Sequence, residues 1–480
     1  MRTATRIVVV LGLFALGACG VEAGDLAAPA PVTASPDIVG SDVAEATTTT
    51  PATTSLPGVD LAIEGAISSE VNDVAATAVV DLEEFWADAY PEAYGQEYEP
   101  LAGGLFAIDS STDPQAVPCG LPDISQMLDN AYYCPPDDAV VWDQERFMPD
   151  LADRYGNFTV AVVIAHEWGH VIQARSGFNE ASVLVELQAD CFAGAWAKHV
   201  FDGGAGSRFS ITTDDLDLAL AGILSLRDAP GGLADDPYAH GSGFDRVGAF
   251  QDGFEDGVAR CATFTDGDPA PFQWPFTEEE LDTGGDLPLA TSVPDDDILD
   301  LTFPSLDAFW TDAFPVLSSG DEWDPLTDPI AFTADDPPSC NGEPVEEFVL
   351  FVCIPDRFVG FEIEETMPAA YDQNGDFAVA TLIATQYGLD VVDQLGRADD
   401  EITATLQGDC LAGAWAYELL PTGEAPRYEL VLSPGDLDEA VSALLTFRSE
   451  ADRARQGPGF DRVRAFRVGV LEEPTKCLDL

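Results

Sequence analysis

Two histidines four residues apart, with a glutamate beside the first, stand in the stretch VIAHEWGHVIQ at 163–173. On a helix, about 100° per residue returns positions i and i+4 to nearly one face, so His166 and His170 would aim both imidazoles at a single point. Such a pair suits a divalent metal, zinc above all, and Glu167 can reach a water held there. Only four histidines occur in the whole chain, so chance does not readily produce this arrangement. Zinc that does chemistry takes three protein ligands and keeps one position open. Downstream, VELQADCFAGAWA at 185–197 offers Glu186 and Asp190, again four apart on one face, as candidates for the third.

These side chains need two helices to carry them. Residues 158–175 lack proline and are apolar along their whole length, which predicts a largely buried helix. In the second helix Cys191 lies about 140° round from Glu186, so a disulfide there would pin the back without disturbing the metal face. Ala193, Gly194 and Ala195 would let a neighbouring helix pack closely. The loop YAHGSGF supplies His240, with Tyr238 behind it, as a candidate donor to a developing oxyanion. His199, beside Lys198 at a helix end, is expected to face solvent without a role.

A second stretch, LIATQYGLDVV at 382–392, matches the first with its chemistry removed. His166 becomes Thr385, Glu167 becomes Gln386, His170 becomes Leu389 and Glu186 becomes Thr405, while His240 falls opposite Gln456. At the same offset of about 220 residues, ELQADCFAGAWA pairs with TLQGDCLAGAWA, DLDLALAGILSLR with DLDEAVSALLTFR, and GFDRVGAF with GFDRVRAF. Gly169, Asp190, Cys191, Gly194 and Trp196 persist as Gly388, Asp409, Cys410, Gly413 and Trp415. An internal duplication follows, in which the second copy keeps the frame and cannot hold zinc in this way. Asp409 is the awkward survivor, since support for a metal ligand has no use there; capping or a backbone hydrogen bond is the expected reason. The cysteines agree: apart from Cys19 there are four per copy, and the expected pairs are Cys119–Cys134, Cys191–Cys261, Cys340–Cys353 and Cys410–Cys477.

The chain has 480 residues and a formal charge of −67, from 20 basic and 87 acidic residues, which repels phosphate backbones and argues against nucleic-acid binding. At the N-terminus, Arg2 and Arg6 precede an apolar run from Ile7 to Ala18 that has signal-peptide length and is too short to span a bilayer. It ends in Leu16-Gly17-Ala18-Cys19, which resembles the lipobox of bacterial lipoproteins, with Cys19 the lipidated residue. The expected organisation is a signal peptide at 1–18, a flexible tether at 19–58, a metal-binding domain at 59–264, a Pro- and Gly-rich linker at 265–295 and the blank copy at 296–480. EEFVLFVCIP at 346–355 reads as strand.

The pair Glu186 and Asp190 resembles the gluzincin pattern, in which a glutamate completes the zinc site and an aspartate four residues on supports a zinc-bound histidine. That resemblance implies Glu186 as ligand and Asp190 behind His166, with direct ligation by Asp190 left open. HEWGHVIQ, ELQADCFAGAWA and HGSGFDRVGAF, with CGLP and YYCPPDDAVVWD before them, together resemble the bacterial neutral zinc metallopeptidase family. The resemblance implies an α+β, mainly α fold of two tandem zincin-like domains, the second without its metal. It also implies hydrolysis of a peptide or protein substrate, with Glu167 as general base and zinc as cofactor. The expected protein is an extracytoplasmic endopeptidase held to the membrane by lipid alone, whose second domain packs on or regulates the first. The alternative is a non-enzymatic lipoprotein with a structural or vestigial metal site.

Overall fold

The computed structural model describes residues 61–480, apart from positions 235, 237, 266, 279, 283, 290–296, 346–347, 398–399, 422–425 and 449. The expected signal peptide, Cys19 and the tether lie outside the described residues. The fold is mixed α and β and mainly helical. No helix among the described residues is long and apolar enough to cross a membrane.

The first half opens with α1 (Glu70–Tyr94), whose N-cap Ser69 accepts from the Asn72 N–H. A small sheet follows, of β1 (Gly104–Ile108), β2 (Ala131–Cys134) and β3 (Ala139–Asp143) in the order β1-β3-β2. β1 runs parallel to β3 and β2 antiparallel, which leaves β2 at an edge. After the short α2 (Phe147–Tyr155) come α3 (Asn157–Ser176) and α4 (Ser182–Phe201), then α5 (Thr213–Ser225) and α6 (Gly243–Cys261). Their close approach follows from small residues. A methyl on Gly169 would lie 2.6 Å from Ala189 Cα, and methyls on Gly194 and Gly253 would run into the Phe250 and Cys191 carbonyls, so α3, α4 and α6 touch backbone to backbone. Cys191–Cys261 then ties α4 to the end of α6.

The second half also runs from a long helix through a small sheet to a set of helices, with a two-stranded ribbon and a short helix, Glu450–Gln456, that the first half lacks among the described residues. α7 (Ile298–Leu317) precedes a sheet of β4 (Ile330–Phe332), β7 (Leu350–Cys353) and β8 (Phe358–Glu362) in the order β4-β8-β7, with a two-stranded ribbon of β5 (Ser339–Cys340) and β6 (Glu343–Pro344) beside it. Among the described residues of the segment EEFVLFVCIP, strand is confined to the four residues of β7. α8 (Thr366–Asn374), α9 (Asp376–Gln394), α10 (Glu401–Glu418), α11 (Asp436–Thr446), the short α12 (Glu450–Gln456) and α13 (Gly459–Leu471) complete the chain. The four disulfides join the expected partners.

One hydrophobic core runs through both halves. Where they meet, the polar contacts are reciprocal. Asp217 of α5 accepts from the N–H groups of Gly459 and Phe460, at the start of α13, at 3.1 and 2.7 Å, and pairs with Arg448. Asp438 of α11 accepts from the Phe244 N–H, at the start of α6, at 2.8 Å and pairs with Arg227 at 3.1 Å. Between them the Gln251 amide donates to the Phe460 carbonyl at 2.9 Å, and the Arg467 guanidinium lies over the Phe244 ring. Each half thus supplies the carboxylate that satisfies the other's orphan helix-start N–H groups.

Candidate metal centre

α3 is buried along nearly its whole length, as its apolar sequence predicts, and it ends at Gly177 in the left-handed conformation that only glycine adopts cheaply. α4 lies against it and brings Glu186 to the two histidines. His166 Nε2 is 3.2 Å from Glu186 Oε2, and His170 Nε2 is 3.6 Å from Glu186 Oε1. One donor atom from each of the three lies within 4.8 Å of the others. Two donors bound to a tetrahedral zinc at about 2.1 Å stand about 3.4 Å apart, so the spacing fits.

The rings are oriented from behind. His166 Nδ1 is 2.7 Å from Asp190 Oδ1, and His170 Nδ1 is 2.9 Å from Gln173 Oε1. In the tautomer these partners favour, each Nδ1–H donates outward and each Nε2 turns its lone pair toward Glu186. Glu186 Oε2 is buried and finds no well-directed hydrogen bond although it stands close to His166. A buried carboxylate oxygen left this way, facing two imidazole lone pairs, is what a cation between them would satisfy. Burial opposes charge on His166, but Asp190 and Glu186 outweigh it and lift its pKa to about 10. Burial likewise opposes ionisation of Glu186, and His170 and His166 overcome it, holding its carboxyl well below the usual range. The carboxylates thus favour a positive charge between them: without a metal a proton on His166 supplies it, and a bound cation would displace that proton and take up the Nε2 lone pair.

Glu167 lies beside these groups, with Oε2 accepting the Tyr133 N–H of β2 at 2.9 Å. Burial raises its pKa, against the pull of His166 and His170. A cleft opens at this point; Ala131, Phe147, Val163, Ile223 and Leu226 are among its apolar and small lining residues. All of its lining residues come from the first half.

The structure brings His240 to the same cleft, where Asp228 holds it: its ring Nδ1 is 3.1 Å from Asp228 Oδ1, and its N–H donates to Oδ2 at 2.8 Å. Tyr238, expected behind it, is exposed, so Asp228 is the supporting residue. His199 packs against the Phe85 ring, with centroids 5.2 Å apart.

Besides Asp228, sequence reasoning missed two supports. Gln173 orients His170 and in turn donates to the Val185 carbonyl at 2.6 Å, which also links α3 to the start of α4. Arg246 of α6 clamps Asp190 with two hydrogen bonds, at 2.8 and 3.0 Å. Its signal was in plain view: the Arg of GFDRV recurs wherever the Asp of the cysteine helix recurs. In the second half Arg462 grips Asp409 at 2.7 and 2.8 Å. Asp409 persists because it is half of a buried ion pair between α10 and α13, and the expectation of a cap or backbone bond is corrected. At the blanked positions the Thr385 hydroxyl donates back to the Leu382 carbonyl at 2.8 Å, and Gln386 donates to Thr385 at 3.2 Å. Among the described residues no cluster of metal-binding side chains forms there.

Two helices that present His, His and a carboxylate to one point, with a further carboxylate alongside, form a candidate metal centre of the HExxH type. The comparisons agree with that class: residues 32–264 match the family model described as "Putative neutral zinc metallopeptidase". Similar proteins include the uncharacterized protein YpfJ of Escherichia coli, 33% identical over 165 residues, which make up 29% of this chain and 55% of that protein. The uncharacterized protein Rv2575 of Mycobacterium tuberculosis is 30% identical over 164 residues, 28% of this chain and 56% of its own length. The chain thus spans about half the length of the curated relatives it matches. No solved structure matches it.

Proposed function

We propose that the first half is a zinc endopeptidase, with His166, His170 and Glu186 as ligands and Glu167 as general base. The observation that carries this reading is the convergence of the three donors beside a second carboxylate, Glu167, that a structural metal would not need. When bound, zinc supplies a Lewis acid and acidifies a water to near neutrality. Glu167, whose Oε2 accepts the Tyr133 N–H, would hold a proton on its other oxygen and pass it to the leaving amine. His240, held by Asp228 and facing the same cleft, donates to the developing oxyanion. Asp190 and Gln173 keep the two ligand rings in register, Asp190 serving as support and not as ligand because Arg246 and His166 occupy both its oxygens.

The substrate is an extended peptide or protein segment. β2 is an edge strand, Tyr133 directs its N–H away from β3 to Glu167, and Ala131, two residues earlier, lines the cleft. A peptide added along this edge would run beside Glu167 and the cleft that His166 and Glu186 line. The four disulfides and the basic-then-apolar N-terminus support an extracytoplasmic protein anchored through lipid on Cys19. The second half is a blank copy of the first, split near the 265–295 linker. Its support is the similar order of elements, disulfides and Asp–Arg pairs, and its role is to buttress the first.

Metal analysis and cleavage of unfolded protein test the reading. The expected result is one zinc per chain and cleavage that falls at least about 100-fold in Glu167→Gln with zinc retained. One equivalent of zinc without any Glu167-dependent cleavage across a proteome-derived peptide library would favour the non-enzymatic lipoprotein instead.

A further inference from the structure

A second cluster of hard ligands lies in the half without zinc chemistry. Asp286 from the linker, Asp376 at the start of α9 and Glu439 in the first turn of α11 each place a carboxylate oxygen within 4.8 Å of the others. Asp436, the first residue of α11, is buried close by, with both oxygens taken by the Ser433 N–H and hydroxyl at 2.8 and 2.6 Å.

Asp376 is the telling residue. It is only 3% exposed, its Oδ2 accepts the Leu287 N–H at 2.7 Å, and its Oδ1 is buried with no hydrogen-bond partner. Glu439 Oε2 accepts the Phe377 N–H at 2.8 Å, and its carboxylate occupies the space that a side chain at Gly375 would fill. Among the described residues no basic side chain is ion-paired to any of the four carboxylates. The starts of α9 and α11 favour negative charge, but each amounts to only about half a charge, short of what three or four carboxylates require. Nor is the cluster part of the shared frame. Where the second half has Asp376 after Gly375 and Glu439 after Asp438, the first has Asn157 after Gly156 and Leu218 after Asp217. Asn157 spends its amide on Glu70 at 2.7 Å.

We propose that Asp286, Asp376 and Glu439 bind a calcium ion that fastens the linker to the starts of α9 and α11. All the donors are oxygens, which disfavours zinc, and calcium accepts irregular all-protein oxygen cages, whereas magnesium demands near-ideal octahedral geometry and keeps several of its waters. Asp436 sets the charge around the ion, and its own oxygens stay with Ser433.

The test uses the full chain, stripped of metal, in about 0.15 M salt so that diffuse binding to the acidic surface is screened. Calcium titration followed by thermal unfolding should show one saturable site, with a dissociation constant on the order of 10⁻⁴ M, and a matching rise in Tm. Asp376→Asn and Glu439→Gln should each weaken binding at least about 10-fold and remove the rise. Without calcium, both variants should unfold at or above the wild-type temperature, because one repelling carboxylate is gone. Glu186→Gln, which disarms the zinc centre, should keep the full calcium response. Terbium gives a local readout. Tyr371 lies close enough to feel the charges of Asp286, Asp376 and Glu439, so its excitation should sensitise bound terbium, and calcium should displace it. A calcium response unchanged in both cluster variants, or one lost in Glu186→Gln, overturns the proposal. So does the absence of saturable binding, which would leave shared protons as the means of neutralising the cluster.

Discussion

Asp190 does two jobs at once, holding the His166 ring at 2.7 Å and accepting two hydrogen bonds from Arg246. Asp190→Asn should therefore lower zinc affinity by about 10- to 100-fold and, by leaving Arg246 buried without its partner, destabilise the chain by about 3–5 kcal/mol. Asp409→Asn breaks the parallel pair with Arg462 and should cost similar stability with zinc affinity unchanged. Chelator competition and urea unfolding on the two variants separate these effects. At this scale much was legible. The spacing of His166, Glu167 and His170 is a property of sequence once a helix is granted, and Glu186 followed from family resemblance. Gln173 and Asp228 were not legible, because nothing in their spacing says which polar side chain finds a ring nitrogen. Arg246 could have been found, since the paired survival of Asp and Arg in both halves was visible without coordinates.

The helices carrying these residues were foreseen because apolar runs, small residues and cysteines mark them. The sheets were less so: short strands buried on both faces, such as β3 and β8, lack the alternation that identifies a strand. α6 shows how an element's start feels its surroundings. Burial lifts the Asp245 carboxyl from the ordinary 3.8 to about 7, against hydrogen bonds from the Phe272 N–H and the Ser242 hydroxyl. Between those values the folded chain keeps a proton that the unfolded chain has released. This residue's favourable contribution is thus fully present below about pH 4 and is lost as the pH rises through about 7. Asp245→Asn removes that dependence, so its stability relative to wild type should climb over that interval and level off above it, as read from urea midpoints at a series of pH values. At the crossing of α4 and α6, Gly194→Ala forces a methyl into the Phe250 carbonyl and should cost about 1–3 kcal/mol or more. Gly413→Ala, set against the Phe466 carbonyl, should do the same between α10 and α13.

Across the whole molecule, the two halves were legible as related stretches of sequence, but their contact was not, because Asp217 and Asp438 read simply as polar positions near helix starts. Asp217→Ala leaves Arg448 buried without its carboxylate and should cost about 3–5 kcal/mol with zinc affinity unchanged. Asp438→Ala should cost stability and zinc affinity together, because Asp438 holds the first turn of α6, two residues before Arg246. Calorimetric unfolding beside chelator competition distinguishes the two.

That last contact bears on any attempt to divide the chain. A truncated version ending before α7 would leave the Phe244 N–H without its carboxylate, and the slack would pass through one arginine and one aspartate to the imidazole of His166. The first half expressed alone is therefore expected to lose the alignment of that ring, so neither half is a detachable module.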